Sequence, residues 1–577
     1  MKKSIILGIF LVNIHSLSAQ KLVPTDFSFR SMAAVNIDST INNMRSNIVT
    51  EIILQTNSTV WLGTGLGVSI IRDSLTVETL PEDTTDLANK VTSNAPVETK
   101  LLPEGGISAM DILGDNKTML AIAGSKNDMP IGKGLAFTTN ATDSDISWQY
   151  YRQPIDLQSQ DTIDWAGGRY NFACLPITVT QANVTYDVAV TEEYVWIASW
   201  AGGLRRNNFA GSGWKRVPLP MDDQFKLNTC EDSSYTTVIN KEFPPDDPEY
   251  SKNVLKDYEL NPRDPTDEGN HNHKTFSVLV YGDTIWVGTA NGINRGIIDA
   301  DGFDCIDWEH YSYPTDGLSG NFVVSLALQM HKGKRVIWAA TVNADDPTEQ
   351  RGVSYTINDG LSWNTALLGE RVYNITAYDS LVFAATANGL WKTEDGINWA
   401  RYKPARQAIP VLNTAIYSTD ELLANEVYSV AFDSRPYYGD NSIWIGTRDG
   451  AAHSYDLDGL NWKIFRAEYD QDEDYAYPNP FSPYTHNVIG GDGYVRFHTN
   501  EWSGTFVIDL DIYNFAMEKV FAGSFDRRDA SSGALKWNGR DTQGRLVNNG
   551  VYFVKLKYPE NQTSKPSAHW LKLIVVK

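Results

Sequence analysis

The sequence predicts an all-β protein, a seven-bladed β-propeller followed by a small β-sandwich. Three observations lead to this fold class: a motif that recurs seven times, turn signals inside each repeat, and alternating apolar and polar residues near the C-terminus. The composition agrees with it. The 43 Gly, 17 Trp and 28 Tyr among 577 residues favour short strands and tight turns over helical bundles.

The recurring motif consists of an aromatic or large apolar residue, two small or β-branched residues, a Thr or Ser and, a few residues later, a Gly. Its seven copies begin at Trp61, Leu120, Trp196, Trp286, Trp338, Phe383 and Trp444. The copies are about 64 residues apart on average, whereas a four-stranded blade needs about 40 to 50. The excess must therefore lie in loops, mainly in insertions at residues 151–183 and 221–274.

Each repeat contains the signals of a four-stranded blade. An apolar run such as Val427 to Phe432 precedes the motif and suits a strand that is buried on both faces. Hairpin turns and a closing tryptophan follow it, as at Asn291-Gly292, Asn388-Gly389 and Asp449-Gly450, and at Trp363, Trp399 and Trp462. Seven such units over residues 47–466 predict a closed ring with short edges, with six or eight blades as the alternatives.

Several turns resemble those of known propeller families. Thr315 to Asn321, followed by Val323 to Leu326, resembles the repeat of two-component-regulator-type propellers, which are common in exported proteins of Bacteroidetes-like bacteria. Thr356 to Trp363 and Lys392 to Trp399 resemble the Asp-box of sialidase-like and sortilin-like propellers, with Asn358 where the box has Asp. These resemblances imply a ring in which the box ties a hairpin together and takes no part in catalysis.

The N-terminus predicts export. Lys2 and Lys3 precede an apolar run from Ile5 to Ile14 and a small-residue site at Ser18-Ala19. We interpret residues 1–19 as a signal peptide and residues 20–46 as a lead-in segment. The run is too short to span roughly 30 Å of hydrocarbon, so a membrane anchor is the weaker interpretation, and we predict no transmembrane segment. The net charge of -22 argues against nucleic acid as a partner.

After the ring, residues 467–475 form an acidic stretch that we interpret as a linker, with a calcium site as the alternative. Residues 476–577 then alternate in the manner of a β-sandwich. This part closely resembles the Ig-like C-terminal sorting domain of type IX secretion substrates and the related domain of flagellar hook-capping proteins. The matching residues include Tyr477, Pro478, Asn479, Pro480, Phe481, Trp537, Gly550, Tyr552 and the basic last strand with Lys572 and Lys577.

The resemblance of the C-terminal part implies an export route. It makes the type IX secretion translocon the expected partner, and it implies passage through the periplasm followed by surface attachment or release. Cleavage of the domain is left open because residues 559–567 form a long insert before the last strand. The alternative is a sandwich with a purely structural role.

Candidate ligand-binding residues lie in the loops of one face of the ring. The loops between second and third strands, and the two insertions, should meet there. The candidates are Trp165, Arg169, Tyr170, Trp200, Arg205, Arg206, Asn291, Asn388 and Arg448. Aromatic platforms beside guanidinium groups can stack on sugar rings and pair with carboxylates. The alternative is that each aromatic residue packs its own loop.

The sequence contains few motifs that indicate catalysis or metal binding, so we assign no catalytic residue, no metal and no cofactor. A sialidase needs three converging arginines, and a retaining or inverting glycosidase needs two opposed carboxylates, which spacing alone cannot identify among 71 acids. His271 and His273 could present two imidazoles, but no third ligand is recognisable. Cys174 and Cys230 both lie in the insertions, and we predict a disulfide between them, with Cys305 as a buried apolar residue.

The sequence thus predicts a secreted or surface-attached binding protein without catalytic activity. Its propeller face would recognise an extracellular polysaccharide or an envelope protein. Two alternatives stay open. The first is a polysaccharide-acting hydrolase or lyase on a propeller scaffold, and the second is an accessory component of the type IX secretion or attachment machinery.

Overall fold

A computed structural model describes residues 44–72, 77–83, 90–91, 95–127, 129–208, 213–230, 235–239, 251–299, 305–342, 347–402, 406–411, 414–421, 426–437, 441–454, 456–457, 459, 462–467, 474–477, 479–484, 493–498, 507–526, 535–558 and 568–577. The predicted signal peptide, nearly all of the lead-in segment, most of the acidic linker and Pro478 lie outside these residues. The corresponding boundaries stay predictions.

Seven antiparallel sheets follow one another along the chain, and in each of them four main strands pair in sequence order. Blade 1 consists of Val49–Leu54, Val60–Thr64, Val68–Ile71 and Val77–Thr79; blade 2 of Gly106–Leu113, Lys117–Lys126, Met129–Thr138 and Trp148–Tyr151; blade 3 of Thr185–Val190, Val195–Ser199, Gly203–Asn207 and Lys215–Arg216; blade 4 of Thr275–Tyr281, Thr284–Thr289, Gly292–Ile298 and Ile306–Tyr311; blade 5 of Phe322–His331, Lys334–Val342, Gly352–Thr356 and Asn364–Ala366; blade 6 of Val372–Tyr378, Leu381–Thr386, Gly389–Thr393 and Trp399–Arg401; and blade 7 of Val427–Asp433, Ser442–Thr447, Gly450–Ser454 and Trp462–Phe465.

The first strands of the blades form the inner wall of a closed ring. Each first strand contacts the first strand of the next blade, and Val427–Asp433 of blade 7 contacts Val49–Leu54 of blade 1. The two ends of the ring are also joined by hydrogen bonds, since the backbone N–H of Gly450 donates to the carbonyl of Asn47 at 2.6 Å. The all-β, seven-bladed prediction is therefore confirmed.

Additional strands extend the blades at their outer edges or lie between them. Val97–Thr99 and Lys226–Asn228 add a fifth, outermost strand to blades 2 and 4. Apart from a sheet formed by the two insertions, the other elements described before residue 470 are a parallel pair, a hairpin and three 3-10 turns: Glu82–Asp83 with Leu102–Pro103, Arg406–Val411 with Thr414–Glu421, and Ala166–Gly168, Pro265–Asp267 and His271–His273.

The recurring Thr and Gly of the motif build one kind of turn between the second and third strands. In blade 4 the Thr289 hydroxyl donates to the carbonyl of Gly292 at 3.1 Å and accepts from the N–H of Asn291 at 3.0 Å. Gly292 has a φ of 96°, which glycine adopts without a steric cost. The same pair of bonds recurs at Thr64, Thr386 and Thr447. Local turn chemistry therefore explains the repeat.

The two Asp-box-like segments are likewise turns held by side chains. Asp395 accepts from the N–H groups of Ile397 and Asn398 at 2.9 and 2.7 Å, and these bonds hold the pKa of Asp395 well below its usual value. Asn358 takes the same place in blade 5, where it accepts from the N–H of Ser362 at 3.0 Å. The side chains therefore tie third and fourth strands together.

The two insertions combine into a single four-stranded sheet. Its strands pair in the order Thr162–Trp165, Tyr170–Cys174, Ser251–Leu260 and Tyr235–Ile239, and the two central strands run parallel. Apolar side chains of this sheet pack with the facing surfaces of blades 3 and 4 in one core. The insertions therefore extend the interface between these two blades at its periphery.

The cysteine prediction was wrong. Cys230 forms a disulfide with Cys305, and Cys174 is a buried free thiol. The reason is the strand Lys226–Asn228, which pairs with the outer strand Ile306–Tyr311 of blade 4 and brings the two bonded cysteines together. Burial raises the pKa of the Cys174 thiol. The disulfide therefore fastens the second insertion to blade 4 and not to the first insertion.

The C-terminal residues form two facing sheets around one core. Tyr475–Tyr477, Val495–His498 and Lys536–Trp537 make a three-stranded sheet, and Lys519–Asp526, Val507–Tyr513, Gly550–Lys557 and Ala568–Val575 make a four-stranded sheet. Phe481 and Trp537 are among the largest fully buried side chains of the chain. This arrangement is the predicted small β-sandwich.

The predicted sorting residues meet along the last strand of this sandwich. Asn479 donates to the carbonyl of Lys572 at 2.8 Å and accepts from the N–H of Ile574 at 2.9 Å, and the N–H of Phe481 donates to the carbonyl of Ile574 at 2.7 Å. The N–H of Lys577 donates to Asn549 at 2.8 Å. The opening motif therefore docks on the end of the chain.

Other predicted sorting residues lie nearby in the same sheet. Gly550 and Tyr552 pair with Val575 and Leu573 of the last strand. The Tyr552 hydroxyl donates to the carbonyl of Asn548 at 2.7 Å. Pro480 is exposed, and Tyr477 pairs through its backbone with the neighbouring strand.

Within the residues described, no helix is long and apolar enough to cross a bilayer.

Candidate functional site

A bulge at the start of every first strand shapes the mouth of the central tunnel. The register of each first strand shifts by one residue where it pairs with the end of the second strand. The bulged residues, from blade 1 to blade 7, are Thr50, Ser108, Tyr186, Phe276, Val324, Tyr373 and Tyr428. The mouth thus has small hydroxyl residues on blades 1 and 2 and large apolar residues on blades 3 to 7.

We call the large residues the collar: Tyr186, Trp200, Phe276, Phe322, Val324, Tyr373 and Tyr428. Phe276 lies at the centre of the larger group of collar residues. Its ring centroid is 4.2 Å from that of Phe322, 5.1 Å from that of Trp200 and 5.7 Å from that of Tyr186. Tyr373 and Tyr428 form the other aromatic pair at 5.3 Å. Neighbouring blades therefore build an almost continuous apolar wall along one side of the mouth.

The collar combines a buried base with a partly exposed surface. Phe276 and Phe322 are only 2% and 4% exposed, whereas Trp200 and Tyr373 are partly exposed. Burial raises the pKa of Tyr428, and the Glu426 carboxylate adds to the effect. The phenol therefore stays protonated at neutral pH and donates to Glu426 at 2.9 Å. The mouth offers aromatic faces together with hydroxyl groups.

Two cations stack on the collar from its rim. The Lys274 ammonium lies 5.1 Å from the centroid of Trp200, and the Arg371 guanidinium lies 5.6 Å from that of Tyr373. Both residues precede the bulge of their blade by two positions. These contacts orient the aromatic rings that a ligand would meet.

Four of the predicted site residues lie in the turns of this face. Trp200 belongs to the collar itself. Asn388 and Arg448 are exposed, with Asn388 donating to Glu370 at 3.0 Å and the Arg448 guanidinium 3.8 Å from Glu426. Asn291 donates to Asp222 of the second insertion at 3.2 Å. The structure therefore places these four on one face, as the turn pattern predicts, although no contact joins them directly.

Trp165 and Arg206 do come together, but in a buried core. The Arg206 guanidinium lies 4.4 Å from the centroid of Trp165 and 4.7 Å from that of Tyr194. Trp165 is 0% exposed, and its indole N–H donates to the Thr229 hydroxyl at 3.0 Å. This finding corrects the prediction that these two residues contact a ligand, because the insertion sheet covers blade 3 here and closes them off from solvent.

Arg205 is buried as well, on the opposite face of the same strand. Its guanidinium donates to Asp156 at 2.8 Å, and Arg216 donates to the other carboxylate oxygen at 3.2 Å. Burial lowers the pKa of Arg205, although Asp156 counteracts the shift. The prediction of a ligand contact is therefore wrong for Arg205 too. Its role is to anchor the first insertion, whose residue Ile177 also donates to Asp156.

Arg169 and Tyr170 lie at the first insertion's hairpin. Arg169 is exposed, and Tyr170 packs against the core between blades 3 and 4. Neither contacts the collar in the structure. A role for them in ligand binding stays a prediction.

The residues that sequence reasoning missed are three carboxylates in the tunnel: Glu51, Asp111 and Asp187. Glu51 directly follows Thr50 and Asp187 directly follows Tyr186, whereas Asp111 lies three residues beyond Ser108. Burial raises the pKa of Asp187 to about 7 and that of Asp111 to about 6, and the neighbouring Asp111 carboxylate contributes to the shift of Asp187. The sequence did carry a signal for these residues, namely an acidic residue within the apolar run of a first strand.

Metal ligation at the predicted histidines is not supported by the geometry. The His273 ring nitrogens are 2.9 Å from the N–H of Asn261 and 3.2 Å from the carbonyl of Leu219, and burial lowers the pKa of His273 to about 3. His271 lies 3.7 Å from Asp264. Across the part of the chain that the structure covers, no three His, Cys, Asp or Glu residues are grouped for a metal ion.

No protein-family model and no curated protein matches the chain. Solved structures similar to it include PorZ, an essential surface component of the type-IX secretion system of Porphyromonas gingivalis, at 13% identity over 92% of this chain and 66% of PorZ, with a TM-score of 0.29. They also include the extracellular domain of a two-component system from B. thetaiotaomicron, at 11% identity over 94% and 82% of the two chains, with a TM-score of 0.22.

A third similar structure is YCF48 from Cyanidioschyzon merolae, at 12% identity over 62% of this chain and 98% of that one, with a TM-score of 0.26. The chain spans about two thirds of the length of PorZ. At this level of similarity, function has to be argued from the chain's own residues.

Proposed function

We propose that the protein is an exported, non-catalytic binding protein whose ligand docks on the tunnel mouth. The ligand is an extracellular polysaccharide or an envelope protein. The observation that supports this most is the collar, an apolar wall to which the bulge position of five consecutive blades contributes, with an aromatic residue at that position in four of them. Exposed aromatic faces with a few polar groups around them are the usual composition of a recognition surface.

The arrangement of the polar groups supports binding without catalysis. Around the collar, Glu426 is engaged by Tyr428 and lies beside Arg448, while Glu370 accepts from Asn388. These carboxylates are held by neighbours in the positions of a hydrogen-bonding rim. Held in this way, Glu426 and Glu370 do not present the pair of free carboxyl groups that a glycosidase needs on either side of its substrate.

A binding experiment tests the proposal. The full-length mature protein is applied to an array of polysaccharides and of separated envelope proteins, together with Trp200→Ala. We expect selective binding that Trp200→Ala weakens about tenfold or more, since an aromatic anchor contributes about 1–3 kcal/mol. Tyr437→Ala serves as the matched control, because Tyr437 is an exposed aromatic residue in the loop that follows the first strand of blade 7, at the other end of the ring. Equal loss in both variants, or in neither, would contradict binding at the mouth.

We further propose that the C-terminal sandwich directs export to the surface through the type IX pathway. The docking of Asn479 and Phe481 on the last strand supports one folded unit that presents its exposed end, with Lys572 and Lys577, to a receptor. Removal of residues 476–577 should leave the protein in the periplasm. Lys572→Ala with Lys577→Ala should reduce surface delivery while the sandwich stays folded. Full delivery of both variants would rule this route out.

A further inference from the structure

The three tunnel carboxylates lie beneath the part of the mouth that has small residues. Thr50 and Ser108 line the mouth on blades 1 and 2, and Glu51 and Asp111 follow them along the same two first strands. Asp187 directly follows Tyr186, the collar residue of the neighbouring blade 3. The three side chains are partly exposed on the inner wall of the ring, where Asp111 and Asp187 reach across to the first strand of the next blade. The mouth is therefore asymmetric, aromatic on one side and acidic below the other.

These carboxylates lack cationic partners among the residues that the structure describes. Asp111 accepts from the N–H of Val190 at 2.6 Å and Asp187 from that of Val278 at 2.8 Å, so each binds the free edge of the next blade's first strand. Glu51 makes no hydrogen bond to a described residue, and burial together with the charges of Asp187 and Asp111 raises the pKa of its carboxyl group. Lys274 and Arg371 stack on collar rings instead. A buried group of acids without cations attracts a positive charge from outside.

We propose that the mouth receives a lysine side chain of an envelope protein, whose aliphatic stem lies against the collar and whose ammonium reaches Glu51 and Asp187. This inference rests on the proposed function and names the chemistry of the ligand. Aromatic walls favour a cation, and the carboxyl groups supply the opposite charge once a nearby ammonium favours their ionised form.

The depth of the acids favours lysine over an amino sugar. A strand rises about 3.3 Å per residue, so carboxylates one to three residues beyond the bulge lie roughly 3–10 Å further along the tunnel. A lysine carries its ammonium on a flexible four-carbon stem and can extend to that depth. The ammonium of an amino sugar is attached directly to the ring, which the collar would hold above the acids. Arginine has a wider planar head that needs two parallel acceptors.

The test uses the full-length protein and a defined probe, the peptide acetyl-Gly-Gly-Lys-Gly-Gly-amide, measured by isothermal titration. The same peptide with an Nε-acetylated lysine is the neutral comparison, and a tetramer of glucosamine is the amino-sugar comparison. We expect the lysine peptide to bind about tenfold or more tightly than either of them, because only its ammonium can reach the acids.

Two variants separate the acids from the collar. Glu51→Gln removes a carboxyl group that can ionise beside an ammonium, and it breaks no hydrogen bond to a described residue, so the fold should be retained. It should weaken binding of the lysine peptide about fivefold or more and leave binding of the acetylated peptide unchanged. Trp200→Ala should weaken the binding of both peptides. Asp307→Asn, an exposed residue on the outer strand of blade 4, makes the same change of charge away from the tunnel and should have no effect.

The outcomes distinguish this inference from the proposed function. If the array ligand binds in a Trp200-dependent manner and the lysine peptide does not bind, the lysine inference fails and the mouth remains the binding site. Equal binding of the two peptides, tighter binding of the glucosamine tetramer, or an unchanged Glu51→Gln variant would also overturn it. If neither the array nor the peptide shows binding at the mouth, the proposed function fails with it.

Discussion

Arg435 of blade 7 donates to the backbone carbonyl of Thr59 in blade 1 at 2.8 Å. The same nitrogen donates to the carbonyl of Asn57 at 2.7 Å, and the rest of the guanidinium is held by the buried carboxylate of Asp433 at 2.7 Å. Burial alone would raise the pKa of Asp433, but the bonds from Arg435 outweigh it and hold the pKa below its usual value. Every described blade takes its four main strands from one consecutive stretch, so side chains of this kind hold the seam between blades 7 and 1.

The first prediction concerns this seam. Arg435→Ala should lower the free energy of unfolding by about 3–5 kcal/mol, because it leaves Asp433 buried without its cation and removes the bonds to blade 1. Urea unfolding followed by tryptophan fluorescence measures the change. Arg401→Ala, an exposed arginine at the end of blade 6, is the matched control and should cost far less. Similar losses in both variants would show that the seam does not depend on Arg435.

The second prediction concerns the disulfide. Cys230 and Cys305 are separated by 75 residues, and a crosslink over a loop of that length restricts the unfolded chain. Cys230→Ser with Cys305→Ser should therefore lower the free energy of unfolding by about 2–4 kcal/mol. Reductant should shift the urea midpoint of the wild type and have no effect on the double variant. If reductant left the urea midpoint of the wild type unchanged, the expected contribution of the disulfide to stability would be contradicted.

The third prediction concerns pH and Asp187. Burial raises its folded pKa to about 7, whereas the group titrates near 3.8 in the unfolded chain. Between these values the folded state keeps a proton that the unfolded state loses, so stability falls as the pH rises from about 4 to about 7. Lowering the pH from 8 to 6 should raise the melting temperature.

The pH prediction has a matched control. Asp187→Asn should reduce the difference in melting temperature between pH 6 and pH 8, because the amide does not titrate. Asp307→Asn should leave that difference as it is in the wild type, since Asp307 is exposed. A wild-type protein that is more stable at pH 8 than at pH 6, with Asp187→Asn unchanged, would show the opposite sign and contradict the argument.

The fourth prediction concerns the anchor of the first insertion. Asp156 receives bonds from both Arg205 and Arg216, and all three side chains are buried. Asp156→Asn should lower the free energy of unfolding by about 3–5 kcal/mol, because two buried guanidinium groups then lose the anion that they share. Asp161→Asn, an exposed acid of the same insertion, should cost less than about 0.5 kcal/mol. Limited proteolysis within residues 152–183 should be faster in Asp156→Asn alone.

The ring could be predicted because its evidence is local. The Thr289 hydroxyl donates to the carbonyl of Gly292 within one turn, and the same turn recurs where the second strand ends in blades 1, 6 and 7. The opening motif of the sandwich is similar in kind, since Asn479 and Phe481 mark the docking of the last strand. Motifs that form their bonds within one blade or one small domain leave a repeated trace in the sequence.

The site could be predicted only in part, because its remaining features depend on tertiary packing. Trp165 and Arg206 were expected to contact a ligand, but they are buried against each other, because a sheet that two separate insertions build together covers them. The correct partner of Cys305 depended on the strand Lys226–Asn228 adding to blade 4. The collar depends on a bulge that is repeated in every first strand. No particular residue type marks a bulge in a sequence, since the bulged residues range from Thr50 in blade 1 to Tyr428 in blade 7.

The hydrogen bonds that join the two ends of the ring at Asn47 have a mechanical consequence. The Asn47 side chain accepts from the N–H of Ala467 at 2.6 Å, where the chain leaves the last blade. If the C-terminal sandwich is fixed to the cell surface, a pull on the propeller enters the ring at this point and is carried across the contacts between blades 7 and 1. The seam between blades 7 and 1 is then the part of the ring under tension, and its resistance to shear sets how firmly the protein withstands flow or a bound ligand that moves away.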